Sequence, residues 1–191
     1  MTNPELSTAI HSYKHAVLAY LNFDYWAKIV PVAEKALKTP HRDTGESLTA
    51  GLLAVDFLTW SRQVQRGKEM LATVERVADE TGQAYPEYIS NLLKAYQSCI
   101  KATDYEKAYG YFYRSWATGP HHEDLFALKR AQVMALKCGR SDLIHEAIAE
   151  LYKTHSFSLS TIPFMAGMVS FGLEQAGDYS GAERFIVYIS K

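Results

Sequence analysis

Apolar residues recur along this chain at spacings of three and four, the pattern of amphipathic helices. In the segment 47–65, for example, Leu48, Leu52 and Val55 fall on one helical face. Glycine, proline and short polar stretches separate such runs, so the pattern predicts ten helices and no strand. The predicted helices are 6–20, 24–37, 47–65, 70–77, 85–102, 105–116, 125–138, 142–152, 158–176 and 178–191. Pro31 should kink the second helix or delay its start.

The segment 171–185 predicts a helix, a tight turn and the start of a second helix. Gly177 suits the left-handed end of the first helix, Asp178 can cap the next, and Ala182 allows the two helices to approach closely. The predicted turn residues, spaced by 36, 36 and 38 positions, are Gly67, Thr103, Gly139 and Gly177. The small-residue position after each turn is assigned to Ala72, Ala108, Ile144 and Ala182.

This period in the middle thirties predicts stacked helical hairpins, because a single hairpin cannot bury its apolar faces. The expected fold is all-α, a right-handed stack of about five antiparallel hairpins (a tetratricopeptide-like α-solenoid) in one domain, 1–191. A four-helix bundle is the alternative, but it would need neither ten helices nor regularly spaced turns.

Composition narrows the classes of partner. The 191 residues are 48% hydrophobic, and the 20 Lys and Arg residues nearly balance 21 Asp and Glu residues, so no overall field attracts nucleic acid or an anionic membrane. No basic leader and no apolar run of membrane-spanning length is present, which predicts a cytoplasmic protein. Cys99 and Cys138 form no CxxC pair and are expected to be buried thiols without a disulfide.

Two blocks of sequence resemble the tetratricopeptide repeat protein 38 family. The first comprises 16–25 (AVLAYLNFDY) and 33–37 (AEKAL), and the second is 167–184 (GMVSFGLEQAGDYSGAER). The similarity covers nearly all of this chain but only the N-terminal portion of the longer family members. The resemblance implies a helical scaffold with no established enzymatic activity. Related repeat proteins bind peptides or helices on a concave face formed by the first helix of each pair.

On that template the concave face holds alternating lysines and apolar residues. The inward-facing positions are Phe57, Ser61, Leu93, Gln97, Lys101, Lys129, Val133, Lys137, Phe171 and Glu174. Val133 stands where a carboxylate-clamping repeat would have asparagine, so capture of a peptide's C-terminal carboxylate is not expected. A helix or an acidic peptide remains open as the partner, as does the alternative that the lysines only solvate a surface.

No motif for a catalytic nucleophile or a phosphate-binding loop is present, so the main hypothesis is a non-catalytic protein-interaction scaffold without a cofactor. His11 and His15 have metal-ligand spacing but no third ligand nearby, and the cluster 121–124 (HHED) is better explained as helix capping. The alternative is a small-molecule-binding or enzymatic domain using Tyr96, Tyr109, Tyr113 and Trp116. A closed pocket with convergent polar groups would favour that alternative, and an open groove the scaffold.

The last predicted helix, 178–191, carries apolar residues on more than one face. A terminal helix should present a polar side to water, and solenoids usually end in a polar capping unit. The sequence therefore predicts self-association, or docking of further repeats, at this end.

Overall fold

The computed structural model describes residues 4–18, 26–39, 44–82, 85–119, 125–154, 169–170, 172–174 and 177–189. Within these ranges the chain forms helices and turns and no strand, which confirms the all-α prediction for this part. The principal helices are α1 (Pro4–Leu18), α2 (Ile29–Lys38), α3 (Thr44–Trp60), α4 (Val64–Thr81), α5 (Glu87–Tyr96), α6 (Tyr105–Ala117), α7 (Leu125–Lys137), α8 (Ser141–Thr154) and α9 (Tyr179–Ile189).

Two details of the helix bounds follow from single residues. Residues 26–27 are helical, Lys28 forms a turn, and α2 begins at Ile29, so Pro31 lies in its first turn, where a missing N–H costs nothing. Helix α5 continues directly into one turn of π-helix, Gln97–Lys101. A π-turn places one extra residue in the helical path and commonly marks a functional segment.

Four turns between helices share one backbone pattern. Arg62, Thr103, Gly139 and Gly177 each have a positive φ, between 53° and 80°. At three of them the next residue donates its N–H to the carbonyl five positions back, as in Asp178 N to Leu173 O at 2.8 Å. This is the Schellman arrangement. After the π-turn the bond spans six positions, from Asp104 N to Ser98 O.

The predicted turn at Gly67 is wrong. Gly67 lies inside α4 and is buried, and the turn falls earlier, at Arg62. A Cβ on Gly67 would lie 3.1 Å from Thr59 Oγ1, so this glycine permits the close approach of α3 and α4. Gly67 therefore occupies the small-residue position that the sequence had assigned to Ala72, which is exposed.

Neighbouring helices pack together through one continuous core. Helix α3 contacts α1, α2, α4 and α5, α6 packs between α5 and α7, and α1 also contacts α7. Twelve consecutive residues of α3, 47–58, are buried, which makes it the central helix of the described core. Because α1 and α7 meet, helices far apart in sequence close around α3.

Candidate functional site

A buried ionic junction lies where four helices meet. Asp56 of α3 and Arg130 of α7 are 1% and 3% exposed, and Arg130 Nη2 donates a hydrogen bond to Asp56 Oδ2. Tyr13 of α1 donates to the same oxygen at 2.7 Å, and Tyr96 of α5 donates to Asp56 Oδ1 at 2.9 Å. The carboxylate thus receives three donors from three different helices, which offsets the cost of burying its charge.

The electrostatics of this junction keep its donors protonated. Burial, followed by the charge of Asp56, raises the pKa of Tyr13 and that of Tyr96 well above the usual value for a phenol. Burial alone would lower the pKa of Arg130, but Asp56 and the two tyrosines more than reverse that effect, and the pKa is raised. The two phenols and the guanidinium therefore stay protonated and keep donating to the Asp56 carboxyl group.

The guanidinium of Arg130 is also held between aromatic rings. Its central carbon lies 4.5 Å from the ring centroid of Trp60 and 5.3 Å from that of Phe126. These are cation–π distances, so both rings stabilise the positive charge of the buried group. Arg130 Nε is buried and has no hydrogen-bond acceptor among the described residues.

One side of the junction opens into a cavity of about 410 Å³. This volume lies within the usual range for a small-molecule site. Aromatic and aliphatic side chains form most of its wall, together with four charged residues. The lining residues are Asp56, Thr59, Trp60, Val64, Lys68, Tyr96, Cys99, Ile100, Thr103, Tyr105, Phe112, Arg130, Met134 and Lys137.

The π-turn contributes part of this wall. Cys99 and Ile100 lie within it, Tyr96 precedes it, and the positive-φ residue Thr103 follows it. Burial, followed by the charge of Asp56, raises the pKa of the Cys99 thiol to about 12. The thiol is therefore protonated at neutral pH and is a poor nucleophile. Both Cys99 and Cys138 are free and half-buried, rather than fully buried as predicted.

Two lysines stand at the same cavity. Lys68 of α4 and Lys137 of α7 are exposed residues in its lining, and Lys137 Nζ lies 5.0 Å from the ring centroid of Tyr105. In the part of the chain that the structure describes, neither ammonium group has a carboxylate within ion-pair distance. The cavity therefore combines apolar walls with an excess of positive charge.

The residues predicted for a concave groove do not share one accessible surface. Lys101 Nζ is 2.6 Å from Glu75 Oε1, and Gln97 donates to the same oxygen at 2.9 Å. Val133 is half-buried against the core, and Glu174 is exposed. Phe171 lies outside the described residues.

Phe57 and Lys129 were predicted to be accessible, but each residue is only 7% exposed, which contradicts that prediction. Lys129 is buried because α1 packs against α7, and Phe57 lies in the stretch 47–58 of α3, which is buried throughout. Lys129 Nζ donates to the backbone oxygen of Val17 in α1 at 2.6 Å. Burial and the nearby charge of Arg130 lower its pKa to about 7. Lys129 therefore joins two helices and cannot meet a partner.

Leu93 and Ser61 complete the predicted groove set. Leu93 is buried in the core, and Ser61 lies in the turn after α3, where its hydroxyl donates to Leu58 O.

The predicted aromatic cluster is divided between two places. Tyr96 lines the cavity, whereas Tyr113 packs between the rings of Tyr109 and Trp116, with centroid distances of 6.0 and 5.5 Å. Tyr109 also donates its hydroxyl to Leu143 O. These last three rings belong to the core rather than to the cavity wall.

Sequence reasoning missed Asp56, Arg130, Trp60 and Lys68. One signal was available, because Asp56 is the only charged residue in the apolar stretch 47–60. A single carboxylate in a helix that is buried on all sides requires a buried partner. Nothing local identifies Arg130 as that partner, since it lies 74 positions further along the chain.

Other predicted features can be placed briefly. The rings of His11 and His15 lie 6.4 Å apart, and the described residues contain no group of three metal-ligating side chains. The cluster 121–124 lies outside the described residues, as do the side chains of 185–191 on which predicted self-association depends. Among the described helices, none has both the length and the apolar character needed to cross a bilayer.

The sequence and fold have no significant match among family models, curated proteins or solved structures. The resemblance to the tetratricopeptide repeat protein 38 family therefore stays a prediction that depends on the two blocks of sequence quoted above.

Proposed function

We propose that this protein binds a small organic molecule in the cavity beside the Asp56–Arg130 pair. The observation that carries the proposal is the convergence of polar groups on a cavity with largely apolar walls. Ligand sites in proteins typically have this composition, in which apolar walls supply affinity and a few polar groups fix orientation. The cavity is open to solvent on one side, where Trp60 and Val64 are exposed, so it is neither the closed pocket nor the extended groove between which the sequence left the choice.

Burial of the inner helical faces supports this choice over an open groove. Tyr13, Asp56, Tyr96 and Arg130 fill the space between α1, α3, α5 and α7, where a partner helix would otherwise lie. The accessible polar groups of the inner region are those around the cavity. A binding role fits them better than catalysis through Cys99, because burial keeps that thiol protonated.

The test uses a neutral fluorescent probe, N-phenyl-1-naphthylamine, whose emission increases in an apolar site. We expect saturable binding to the folded protein and weaker binding to Val64→Trp, because Val64 lines the cavity and is 46% exposed, so a larger side chain narrows the site. Ala72→Trp is the matched control, since Ala72 is also exposed on α4 and does not line the cavity. Equal binding by both variants and the parent would contradict the proposal.

We propose, as a second function, that a stack of helical hairpins presents a surface to a protein or peptide partner. Two observations favour it: the four equivalent turns, and the exposure of Trp60 and Val64, which are 40% and 46% accessible at the cavity. The test is retention of a partner from the source cell by the parent and by the double variant Lys101→Glu/Lys137→Glu. Loss of one specific partner would support the scaffold, and unchanged retention would contradict it.

A further inference from the structure

We infer that the cavity selects small organic anions, namely molecules with a planar apolar body and one carboxylate, sulfonate or phosphate group. This inference rests on the proposed binding function and assigns the chemical class of its ligand. It follows from the charges and the wall composition of the same cavity.

The charges around the cavity do not cancel. Among the described residues that line the cavity, Asp56 supplies the only carboxylate, and Arg130, Tyr13 and Tyr96 already donate to its two oxygens. That carboxylate is therefore neutralised by Arg130 and has little capacity to accept a cationic ligand. The charges of Lys68 and Lys137 remain, and no described carboxylate lies within ion-pair distance of either. The field inside the cavity is consequently positive, although the whole chain is nearly neutral.

Arg130 also lines the cavity and adds a positive charge beside it. Its Nη2 is committed to Asp56. The ring of Trp60, 4.5 Å from the guanidinium carbon, stabilises the positive charge of Arg130 next to the cavity.

The remaining wall suits a flat apolar body. Trp60, Tyr105 and Phe112 supply aromatic surface, and Ile100 and Met134 supply flexible aliphatic surface. The volume of about 410 Å³ accommodates two or three fused or linked rings rather than a macromolecular segment. The expected ligand is thus amphiphilic, with its anionic group toward the cationic side chains and its rings against the aromatic wall.

The test compares two probes that share one ring system. Both contain the N-phenylnaphthylamine body, but 1-anilinonaphthalene-8-sulfonate also carries a sulfonate. We expect the sulfonate probe to bind about tenfold more tightly, since a charge-assisted hydrogen bond contributes roughly that factor. Its affinity should fall as salt is added, whereas that of the neutral probe should stay constant.

Lysine variants test whether Lys68 and Lys137 cause the preference for the sulfonate probe. Lys68→Gln/Lys137→Gln should remove most of the preference for the sulfonate probe and leave binding of the neutral probe unchanged. The double variant Lys14→Gln/Lys107→Gln is the control, because it loses the same number of charges and neither residue lines the cavity. Circular dichroism checks that all variants are folded.

The outcomes separate this inference from the proposed function. Equal affinities for the two probes, with both reduced by Val64→Trp, would overturn the anion inference and leave the proposed function standing. Equal loss of sulfonate binding in the control and in the cavity variant would also overturn it, because the effect would then come from overall charge. Insensitivity of both probes to Val64→Trp would overturn both proposals.

Discussion

The turns between helices and the buried junction both depend on polar groups, but they differ in the range of their contacts. At Gly139 and Gly177 the bonds that end one helix connect residues at most five positions apart. At the junction, the side chains that meet Asp56 come from positions 43, 40 and 74 residues away. Each turn can therefore form by itself, whereas the junction exists only when four helices have assembled.

The turns recur along the chain, whereas the junction does not. The turn pattern occurs at four connections in the described part of the chain, because a residue with a positive φ allows the chain to end one helix and turn into the next. The junction occurs once in the described part of the chain, and it joins helices that are not consecutive. We expect the turns to control local helix pairing and the junction to control how the pairs close around α3.

The largest expected effect is at the junction. Asp56→Leu should lower the free energy of unfolding by about 3–5 kcal/mol, because it leaves Arg130 buried without its carboxylate. The double variant Asp56→Leu/Arg130→Met removes both charges and should be more stable than Asp56→Leu alone. Urea denaturation of the parent, the two single variants and the double variant measures the coupling. Strictly additive losses would show that the two residues do not act as a pair.

The next effect tests the small-residue position after a turn. Ala108 is fully buried at the start of α6, so Ala108→Trp should overpack the contact between helices and cost about 1–3 kcal/mol or more. Ala72→Trp, on an exposed position, should change the melting temperature little. Similar melting temperatures for the two variants would contradict the assigned register of the turns.

The third effect is a pH dependence at Lys129, which joins α1 to α7. Its folded pKa of about 7 lies below the usual lysine value of 10.5, so the unfolded state binds more protons between these two pH values. The contribution of Lys129 to stability should therefore rise with pH across this window, by about 1.4 kcal/mol per pH unit at most. Lys129→Met removes this term, so the stability of the parent relative to the variant should increase between pH 7 and pH 9.5. A constant difference in urea denaturation would mean that Lys129 stays charged in the fold.

The smallest effect is expected at Thr103 and Gly139, which occupy equivalent positions in two turns. Thr103 has a φ of 53°, which strains a β-branched residue, whereas Gly139 has a φ of 70° with no strain. Thr103→Gly should be stabilising by up to about 1 kcal/mol, and Gly139→Thr should be destabilising by about 1–2 kcal/mol. Thermal unfolding of both variants measures whether each substitution raises or lowers the melting temperature. Shifts of the same sign would show that backbone conformation does not dominate at these positions.

The same difference in range explains what could be predicted. Thr103, Gly139 and Gly177 were identified as turns because local spacing and residue type determine them. The first turn was misplaced because Arg62, a residue without a left-handed preference, occupies its positive-φ position. The glycine that was predicted for this turn, Gly67, instead allows α3 and α4 to pack closely.

The candidate site was harder to predict because it depends on contacts between distant helices. Lys129 was expected on a concave face because the tetratricopeptide template assigns its position to that face, and its burial comes from the packing of α1 against α7. Lys137 was selected by its position on a first helix, and the structure places it at the cavity together with Lys68. Asp56 carried a signal in its apolar surroundings, but its partner could not be inferred from local pattern.

The π-turn at 97–101 also constrains how the length of this chain can change during evolution. It gives α5 one residue more than an ordinary helix of the same path requires, which is why the bond from Asp104 N spans six positions instead of five. Deleting one residue from the π-turn would allow a regular α-helix. Helix α5 would then rotate about its axis by about 100° relative to the turn at Thr103. That rotation would carry Tyr96 away from Asp56. A one-residue deletion that a surface loop would tolerate is therefore excluded at this position. The extra residue of the π-turn sets the rotation of α5 so that Tyr96 faces the junction.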